Sequence, residues 1–403
     1  MSAVERIGDA TLYTGDVLAV LAELPEESVH CVVTSPPYYA LRDYGVPGQI
    51  GLEETPEQYI AKMVEVFRAV RRVLRKDGTL WLNIGDSYAG SGCGWGGGSF
   101  SEKTGHFEKI HGEGAEHKSK DQTPPPGMKP KDLMGIPWML AFALRADGWY
   151  LRSDIIWSKP NPMPESVTDR PTKAHEYLFL LSKSARYFYD AEAIRETTEG
   201  HDSGNVARKP GQDSIPGASH VGRGFPWSNV GQGRNRRTVW TIATEPYPEA
   251  HFATFPRKLV QPCILAGCPE HACPKCGSPW EREVEKIRPD YVKGPGEGGH
   301  GRYGNDGNGM RMPDKFNTEV RIIGEHPTCD CGGIPGSLEA LPPIGGTMLD
   351  PFGGSGTTAE VALEYGRRAI LIELKPEYVE LQRRRLAPVA GRPLLDFVGG
   401  NHA

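Results

Sequence analysis

The chain has 403 residues, 38% of them hydrophobic, so it can bury a core and is longer than one catalytic domain requires. Its formal net charge of -5 excludes a protein that binds nucleic acid through its overall charge, so such contacts must come from local basic patches. No apolar run reaches about 18 residues and no N-terminal signal pattern is seen, so we expect a soluble, intracellular protein. Eight cysteines without a secretory signal favour metal binding over disulfides.

The first predicted elements are a strand in ATLYTGD, a helix over residues 17–24 and a buried strand in HCVVTSP. Asp16 closes the first strand, where an Asp also suits a helix N-cap. Further on, apolar residues at helical spacing predict a helix over residues 56–74, and TLWLNIGDSY reads as another buried strand.

The run TSPPYY follows the buried strand and can hold an amino group. Two consecutive prolines, Pro36 and Pro37, fix the backbone and leave their carbonyls free of ladder pairing. Ser35 Oγ and the Pro36 carbonyl are then natural acceptors for the two hydrogens of an exocyclic amine, and Tyr38 offers a face for stacking. If the amine belongs to a base in a nucleic-acid duplex, that base cannot reach such a turn from within the duplex, so we expect it to be flipped out. A rigid turn without a ligand is the alternative.

Between residues 90 and 130 the composition changes to Gly, Ser, Lys, His and Pro, which predicts a mobile loop near the active site. A helix over residues 138–144 follows, then strands in LRSDIIWSKP and YLFLLSK and the run RYFYD. Residues 197–241 are rich in Arg and Gly with few acids, which suits contacts to phosphates and guanine edges. A solvated basic loop is the alternative for this segment. Its candidate DNA-binding residues are Arg208, Lys209, Arg223, Arg234, Arg236 and Arg237.

Two pairs of cysteines, in CPKCG and PTCDCGG, are the candidate metal ligands. Four thiolates fit tetrahedral zinc, and a glycine after each pair permits a tight turn. The second pair has a one-residue gap, so Cys268 and His271 stay open as substitutes for the fourth ligand, and free reduced thiols are the alternative. The expected ligands are Cys273, Cys276, Cys329 and Cys331, within a zinc-ribbon-like insertion over residues 267–335.

Near the C-terminus, TMLDPFGGSGTT reads as a strand that ends at Asp350, a Gly-rich turn and a helix start. Glycines there let the backbone take positive φ and lie close against a ligand. About twenty residues later a second strand ends at Glu373, where dinucleotide-type folds place a carboxylate for ribose hydroxyls. The loop has neither GxGxxG nor GK[ST], so an adenosine ligand without phosphates fits better than a pyrophosphate.

DPFGGSGTT resembles the S-adenosylmethionine motif of amino-group DNA methyltransferases, and VVTSPPYY resembles their catalytic motif. The catalytic motif comes first, as in the beta class of that family. The resemblance implies a doubly wound, Rossmann-like α/β methyltransferase sheet in circularly rearranged order, with Ser35, Pro36, Pro37 and Tyr38 as catalytic residues. The cofactor residues it implies are Asp16, Phe255, Lys258, Asp350, Pro351, Phe352, Gly353, Gly354, Gly356, Thr357 and Glu373.

Ser at the first position of the catalytic motif resembles the cytosine-N4 enzymes, so cytosine N4 is the expected target and adenine N6 the alternative. An inactive sequence-specific DNA-binding protein is a third reading. We expect the catalytic domain to comprise residues 1–196, 242–266 and 336–403, with residues 197–241 as the recognition segment. The resemblance implies double-stranded DNA as partner and a cytoplasmic place in a bacterial or phage-infected cell. It leaves open a cognate restriction endonuclease and the choice between monomer and homodimer.

Overall fold

The computed structural model describes residues 3–41, 45–90, 98–100, 107–109, 124–196, 234–245, 255–287, 319–331 and 343–390. The strands in these ranges, in chain order, are β1 (Ala3–Ile7), β2 (Ala10–Thr14), β3 (Val29–Thr34), β4 (Leu74–Ile84), β5 (Gly98–Phe100), β6 (Phe107–Lys109), β7 (Tyr150–Ser158), β8 (His175–Ser182), β9 (Val239–Thr241), β10 (Trp280–Ile287), β11 (Glu319–Pro327), β12 (Thr347–Asp350) and β13 (Arg368–Glu373). The helices are α1 (Val17–Glu23), α2 (Pro56–Val73), α3 (Ile136–Ala146), α4 (Arg257–Gly267), α5 (Thr357–Glu364) and α6 (Pro376–Leu386), with a 3-10 turn at Glu192–Ile194.

Nine strands form one sheet in the order β1-β2-β13-β12-β3-β4-β8-β7-β9. The five strands from β2 to β4 in this order run parallel, whereas β8 is antiparallel to both β4 and β7. The strand of the catalytic motif, β3, therefore lies beside the strand of the cofactor motif, β12, although more than three hundred residues separate them in the chain. Parallel order brings the carboxyl ends of both strands to one edge of the sheet.

Helices cover both faces of the sheet. Along β3, Val32 packs into the core shared with α1, α2 and α3, whereas Cys31 and Val33 pack into the core shared with α4, α5 and α6. Alternate residues of a strand point to opposite faces, so a strand that is buried throughout requires cover on both sides. The protein is thus a three-layer α/β structure with a large, mostly parallel sheet.

Most predicted elements are found with end shifts of one or two residues, and α3 extends the predicted helix at both ends to Ile136–Ala146. The strand predicted in TLWLNIGDSY is an exception, because β4 begins at Leu74 and ends at Ile84, five and four residues earlier than predicted. The run RYFYD, which follows β8, contains no strand. Its amides are instead tied to other elements, since Phe188 N donates to Asp77 O and Asp190 N donates to Ala266 O. Of the predicted mobile loop, β5 and β6 form a short antiparallel pair, and most other residues lie outside the described part.

The end of the predicted recognition segment contributes to the main sheet, because β9 pairs in parallel with β7. Residues 197–233 of that segment lie outside the described part of the chain. Within the described ranges, no helix has the length and apolar character needed to cross a membrane.

Candidate active site

The turn after β3 carries the predicted catalytic residues. Ser35, Pro37 and Tyr38 are half-buried, and Pro36 is buried. The Tyr59 hydroxyl on α2 donates to the Pro37 carbonyl at 2.8 Å, which fixes the turn against α2. Among the described residues, no donor is bound to the Pro36 carbonyl. The Pro37 carbonyl is therefore occupied. The Pro36 carbonyl, which the sequence analysis singled out, has no bound donor among the described residues.

A polar network that the sequence analysis did not identify lies behind this turn. Asn83, at the end of β4, donates its Nδ2 to the Tyr177 carbonyl at 3.1 Å and to Glu176 Oε2 at 3.2 Å. These bonds fix the orientation of the amide, so that its Oδ1 faces Ser35 and accepts from Ser35 Oγ at 3.3 Å. A serine hydroxyl that donates in this way keeps its lone pairs available for another donor.

Glu176, at the start of β8, connects three side chains. Its Oε2 accepts from the Tyr38 hydroxyl at 2.6 Å as well as from Asn83, and its Oε1 pairs with the Lys159 ammonium. The same ammonium lies 4.3 Å from the centre of the Trp157 ring. The Tyr38 ring also rests on Gly85, since a Cβ at Gly85 would lie 2.6 Å from the ring. Tyr38 is thus held at its hydroxyl and along one edge, in a fixed orientation.

Asp350, at the end of β12, joins the two motifs directly. It is completely buried; its Oδ1 accepts from Thr34 Oγ1 at 2.7 Å and from the Phe352 amide at 3.1 Å, and its Oδ2 accepts from Thr358 Oγ1 at 2.7 Å. Burial raises the pKa of Asp350 to about 6, against the opposing effect of these hydrogen bonds. The described donors engage both oxygens, so Asp350 fixes the positions of the catalytic and cofactor turns. Neither Thr34 nor Thr358 was among the predicted site residues.

The Gly-rich turn has one face against the protein and one open face. A Cβ at Gly353 would lie 2.9 Å from Gln382 Nε2 on α6, so this glycine permits close helix packing. Gly354 has φ +48°, and a Cβ there would meet only Phe352 O at 3.8 Å, which fits close approach of a ligand. Gly356 has φ +84° at the start of α5. The contact of all three glycines with a ligand stays a prediction. Thr357 is buried and accepts from Arg385 at 2.8 Å.

Glu373 ends β13 beside this turn, as predicted. Its two carboxylate oxygens accept from the Gly354 amide and the Lys375 amide, each at 2.9 Å. Burial raises the pKa of Glu373 to about 7. Asp16 is next along the same edge, because Gly15 N donates to Glu373 O at 2.9 Å. Asp16 Oδ1 accepts from the Ala19 amide at 3.0 Å, so it serves as the N-cap of α1 and is exposed.

The remaining predicted cofactor residues have different environments. Pro351 is buried, and Phe352 is partly buried against the core on the α1–α3 face. Phe255 precedes α4 and packs against the core on the opposite face, whereas Lys258 is exposed in the first turn of α4. The structure places the Asp16, Asp350 and Glu373 strand ends on one edge, and the cofactor role of Phe255 and Lys258 stays a prediction.

Three of the six predicted DNA-binding residues lie in the described part of the chain. Arg234 and Arg237 both pair with Glu196, at 2.8 and 3.0 Å, and the Arg236 guanidinium lies 4.5 Å from the centre of the Trp240 ring. Each arginine therefore already has an intramolecular partner. Arg208, Lys209 and Arg223 lie outside the described residues.

The predicted metal ligands come together. The sulfur atoms of Cys273, Cys276, Cys329 and Cys331 all lie within 4.8 Å of one another, so the cluster could hold a metal ion. Cys268 is buried in the core, and His271 Nδ1 is bound to Glu325 Oε2 at 2.6 Å.

Adjacent strand ends that carry a Ser-Pro-Pro-Tyr turn and a Gly-rich turn define the class of amino-group methyltransferases. The family model N6_N4_Mtase, described as DNA methylase, matches residues 29–273 and 337–384. Type II methyltransferase M.Cfr9I of Citrobacter freundii is 40% identical over 381 residues, which cover 94% of this chain and 89% of that protein. M.SmaI of Serratia marcescens is 39% identical over 375 residues, which cover 93% and 90%. The chain belongs to this DNA methylase family, and its cofactor is S-adenosylmethionine.

Solved structures of low identity are also similar to the chain. The cytosine-N4-specific PvuII DNA methyltransferase is 16% identical with a TM-score of 0.49, over 98% of this chain and 97% of that one. A DNA modification methylase of Thermus thermophilus in complex with S-adenosyl-L-methionine is 19% identical with a TM-score of 0.44, over 94% and 95%.

Proposed function

We propose that this protein is a site-specific DNA methyltransferase that methylates N4 of a flipped cytosine. The observation that carries the proposal is the link between Thr34 and the buried Asp350, which fixes the Ser35 turn beside the Gly354 turn. A methyl donor held at one turn and an amine held at the other would then be adjacent, which is the main requirement for direct transfer between bound reactants.

In this proposal the donor is S-adenosylmethionine, which supplies an electrophilic methyl group on its sulfonium sulfur. Gly354 offers an open backbone surface for it, and Glu373 and Asp16 lie at the neighbouring strand ends where hydroxyl groups of the ligand would be bound. Asp350 contributes through the shape of the turn, because its oxygens are already engaged.

The target amine is activated by acceptors of the catalytic turn. Ser35 donates its own proton to Asn83, so its lone pairs can accept one amine hydrogen, and the Pro36 carbonyl can accept the other. Two such bonds draw the nitrogen lone pair out of conjugation with the ring and direct it towards the methyl donor. The N–C bond would form as the C–S bond of the donor breaks, and the nitrogen would then lose one of its two hydrogens as a proton to solvent. The oriented Tyr38 ring offers a stacking face for the base. Flipping the base out costs roughly a few kcal/mol of stacking and pairing.

Cytosine is favoured over adenine by the motif and by a lysine near the pocket. Lys173 Nζ is buried without a hydrogen-bond partner among the described residues, and Asp86, Glu176 and Glu165 act on its charge. Burial lowers the pKa of this ammonium, and the neighbouring carboxylates oppose that shift. Both bases carry an acceptor ring nitrogen beside the amine, and only cytosine adds a carbonyl oxygen on the far side of that nitrogen, so a donor that reaches this oxygen would favour cytosine. Adenine N6 is the alternative target.

The order of the motifs along the chain supports the circularly rearranged form of the fold, since β3 precedes β12 in the chain and adjoins it in the sheet. DNA would be recognised by the basic segment before β9. The candidate contacts in that segment are Arg208, Lys209, Arg223, Arg234, Arg236 and Arg237. The Type II names of the relatives fit a protein that works beside a cognate restriction endonuclease.

The test is to express the protein in a host that lacks DNA methylation and to quantify modified nucleosides in its DNA by mass spectrometry, with the empty vector as control. N4-methylcytosine is the expected product. N6-methyladenine would overturn the choice of base and leave the amino-methyltransferase. Absence of both would favour an inactive DNA-binding protein.

A further inference from the structure

The four-cysteine cluster lies at the edge of the sheet opposite the catalytic turn. It is built from two segments, one before β10 and one after β11. We propose that this cluster binds a structural zinc ion and that the zinc clamps the β10–β11 hairpin onto the amino end of the catalytic strand. Nothing in this inference depends on which base is methylated.

The first pair of cysteines forms a metal-binding knuckle. Gly277 N donates to Cys273 O and Cys273 N donates to Ser278 O, both at 2.8 Å, and Gly277 has φ +69°, which favours glycine. Zn–S bonds of about 2.3 Å in a tetrahedron place sulfur atoms about 3.8 Å apart. The observed limit of 4.8 Å is therefore close to the spacing that a bound zinc requires.

The hairpin brings the second pair to the first. Trp280 of β10 pairs with Pro327 of β11, and Thr328 binds the Pro279 carbonyl through its amide at 3.3 Å and its hydroxyl at 2.7 Å. Lys275 donates its ammonium to the Cys331 carbonyl at 2.9 Å, which places a positive charge beside the thiolates. A zinc ion with four thiolates carries two negative charges, so this neighbour stabilises the cluster.

The knuckle is docked on the catalytic sheet through its two carbonyl groups. His30 on β3 accepts from the Thr347 amide at Nδ1 at 2.9 Å, so its proton is on Nε2, which donates to Gly277 O at 2.7 Å. Arg75 on β4 donates to Cys276 O at 2.8 Å and is itself oriented by Asp77 at 3.0 Å. Two consecutive carbonyls of the knuckle, those of Cys276 and Gly277, are thus bound by the catalytic strand and its neighbour.

The surroundings also select the fourth ligand. Cys268 is fully buried among core residues, and His271 is engaged by Glu325. Cys331 is in the sulfur cluster, despite the one-residue gap that leaves the sequence pattern ambiguous. A set of four thiolate ligands is selective for zinc or an iron–sulfur cluster among common metals, so the metal itself must be measured.

The metal is tested on the full-length protein, purified without chelator, by mass spectrometry of its metal content. We expect one zinc per chain, lost in Cys276→Ser and in Cys331→Ser, with a lower melting temperature in both. Cys268→Ser and His271→Gln are the matched controls and should keep the zinc. Iron in place of zinc, a metal-free wild type, or zinc retained in both ligand variants would overturn the proposal.

The clamp is tested by a variant that keeps all four sulfur ligands. Arg75→Met removes one docking bond, so zinc release to a chromogenic chelator should be about fivefold faster, the factor that one net hydrogen bond supports. Arg68→Met is the control, because Arg68 is exposed on α2 and pairs with Asp147. Equal release rates in wild type and Arg75→Met would contradict the clamp while leaving the zinc site in place.

Discussion

The two ends of β3 differ in how their polar groups are satisfied. At the amino end, both nitrogens of His30 are engaged, one by the Thr347 amide and one by the Gly277 carbonyl. At the carboxyl end, Ser35 and the Pro36 carbonyl keep acceptor capacity among the described residues. The strand rises by about 3.3 Å per residue, so roughly 16 Å separates the two ends. The carboxyl end of β3 thus differs from the amino end by its free hydrogen-bond acceptors and not by its residue types.

Burial has the same kind of effect on His30, at the amino end of β3, and on Asp350, which lies beside the carboxyl end of β3. It lowers the pKa of His30 to about 4 and raises the pKa of Asp350 to about 6, so each group is shifted towards its neutral form. Hydrogen bonds oppose the shift in each case. The difference between the ends therefore does not come from burial but from the acceptor capacity that Ser35 and the Pro36 carbonyl keep among the described residues.

The largest effect is expected for a substitution of Asp350, which fixes the two turns at the carboxyl ends of β3 and β12. In Asp350→Ala, the Thr34 and Thr358 hydroxyls and the Phe352 amide all lose their acceptor. At about 1–3 kcal/mol for each buried unsatisfied group, the loss is about 3 kcal/mol or more. We expect a lower free energy of unfolding in urea and at least tenfold weaker S-adenosylmethionine binding by calorimetry, with DNA binding retained. Wild-type stability and affinity would show that Asp350 does not join the two turns.

A smaller and purely catalytic effect is expected for Glu176→Gln, which keeps the side-chain volume and removes the charge. The amide keeps one acceptor oxygen, so either Lys159 or the pair Tyr38 and Asn83 then faces an NH2 group, and the ion pair with Lys159 is lost. The single-turnover rate of methyl transfer should fall by about tenfold to a hundredfold, near the lower end for groups acting on proton positions. Glu192→Gln is the control, since Glu192 pairs with Arg195 elsewhere. Equal rates in both variants would remove Glu176 from the site.

Cofactor binding should depend on pH through Glu373, whose pKa is raised to about 7 by burial. Only the ionised carboxylate accepts from hydroxyls at both oxygens, so S-adenosylmethionine affinity should rise roughly tenfold between pH 6 and 8. The free protein responds in the opposite sense, because the folded state holds the proton more tightly than the unfolded chain. Glu373 should therefore contribute a loss of stability as pH rises from about 4.5 to 7. Calorimetry and urea unfolding across this range test both, and Glu373→Gln should remove this contribution from both curves.

The smallest effect concerns the Tyr38 ring. In Gly85→Ala, the new Cβ would lie 2.6 Å from the ring, so the ring must shift and the transfer rate should fall severalfold. Gly324→Ala on β11 is the matched control, because its Cβ meets only Glu283 at 3.6 Å. Rate constants measured at saturating DNA separate the two. A normal rate in Gly85→Ala would mean that the position of Tyr38 is not critical.

The sequence predicted the parts that depend on local pattern. The backbone preferences of glycine at position 356 and of proline at positions 36 and 37 predict the two turns. The apolar runs of β3 and β12 predict the strands that precede these turns. The roles of Glu176 and Thr34 could not, because each depends on a partner far along the chain that only strand order brings near. The run WLNIGD did hold a signal, since Asn83 is a polar residue within a buried strand.

Glu373 and Asp350 illustrate the same limit within a recognised motif. Their positions at strand ends were predictable, but their hydrogen bonds to Gly354 and Thr34 depend on tertiary packing. The one-residue gap between Cys329 and Cys331 also left the fourth ligand open, and the β10–β11 register places that residue in the cluster.

The most direct test of the account is the single-turnover rate of methyl transfer to duplex DNA by Ser35→Ala. Removing one group that stabilises the transition state costs about 10²–10³ in rate. The account predicts a loss of that size, with S-adenosylmethionine affinity, zinc content and melting temperature unchanged. A rate within about threefold of the wild type, less than 1 kcal/mol, would show that the turn after β3 is not the catalytic centre.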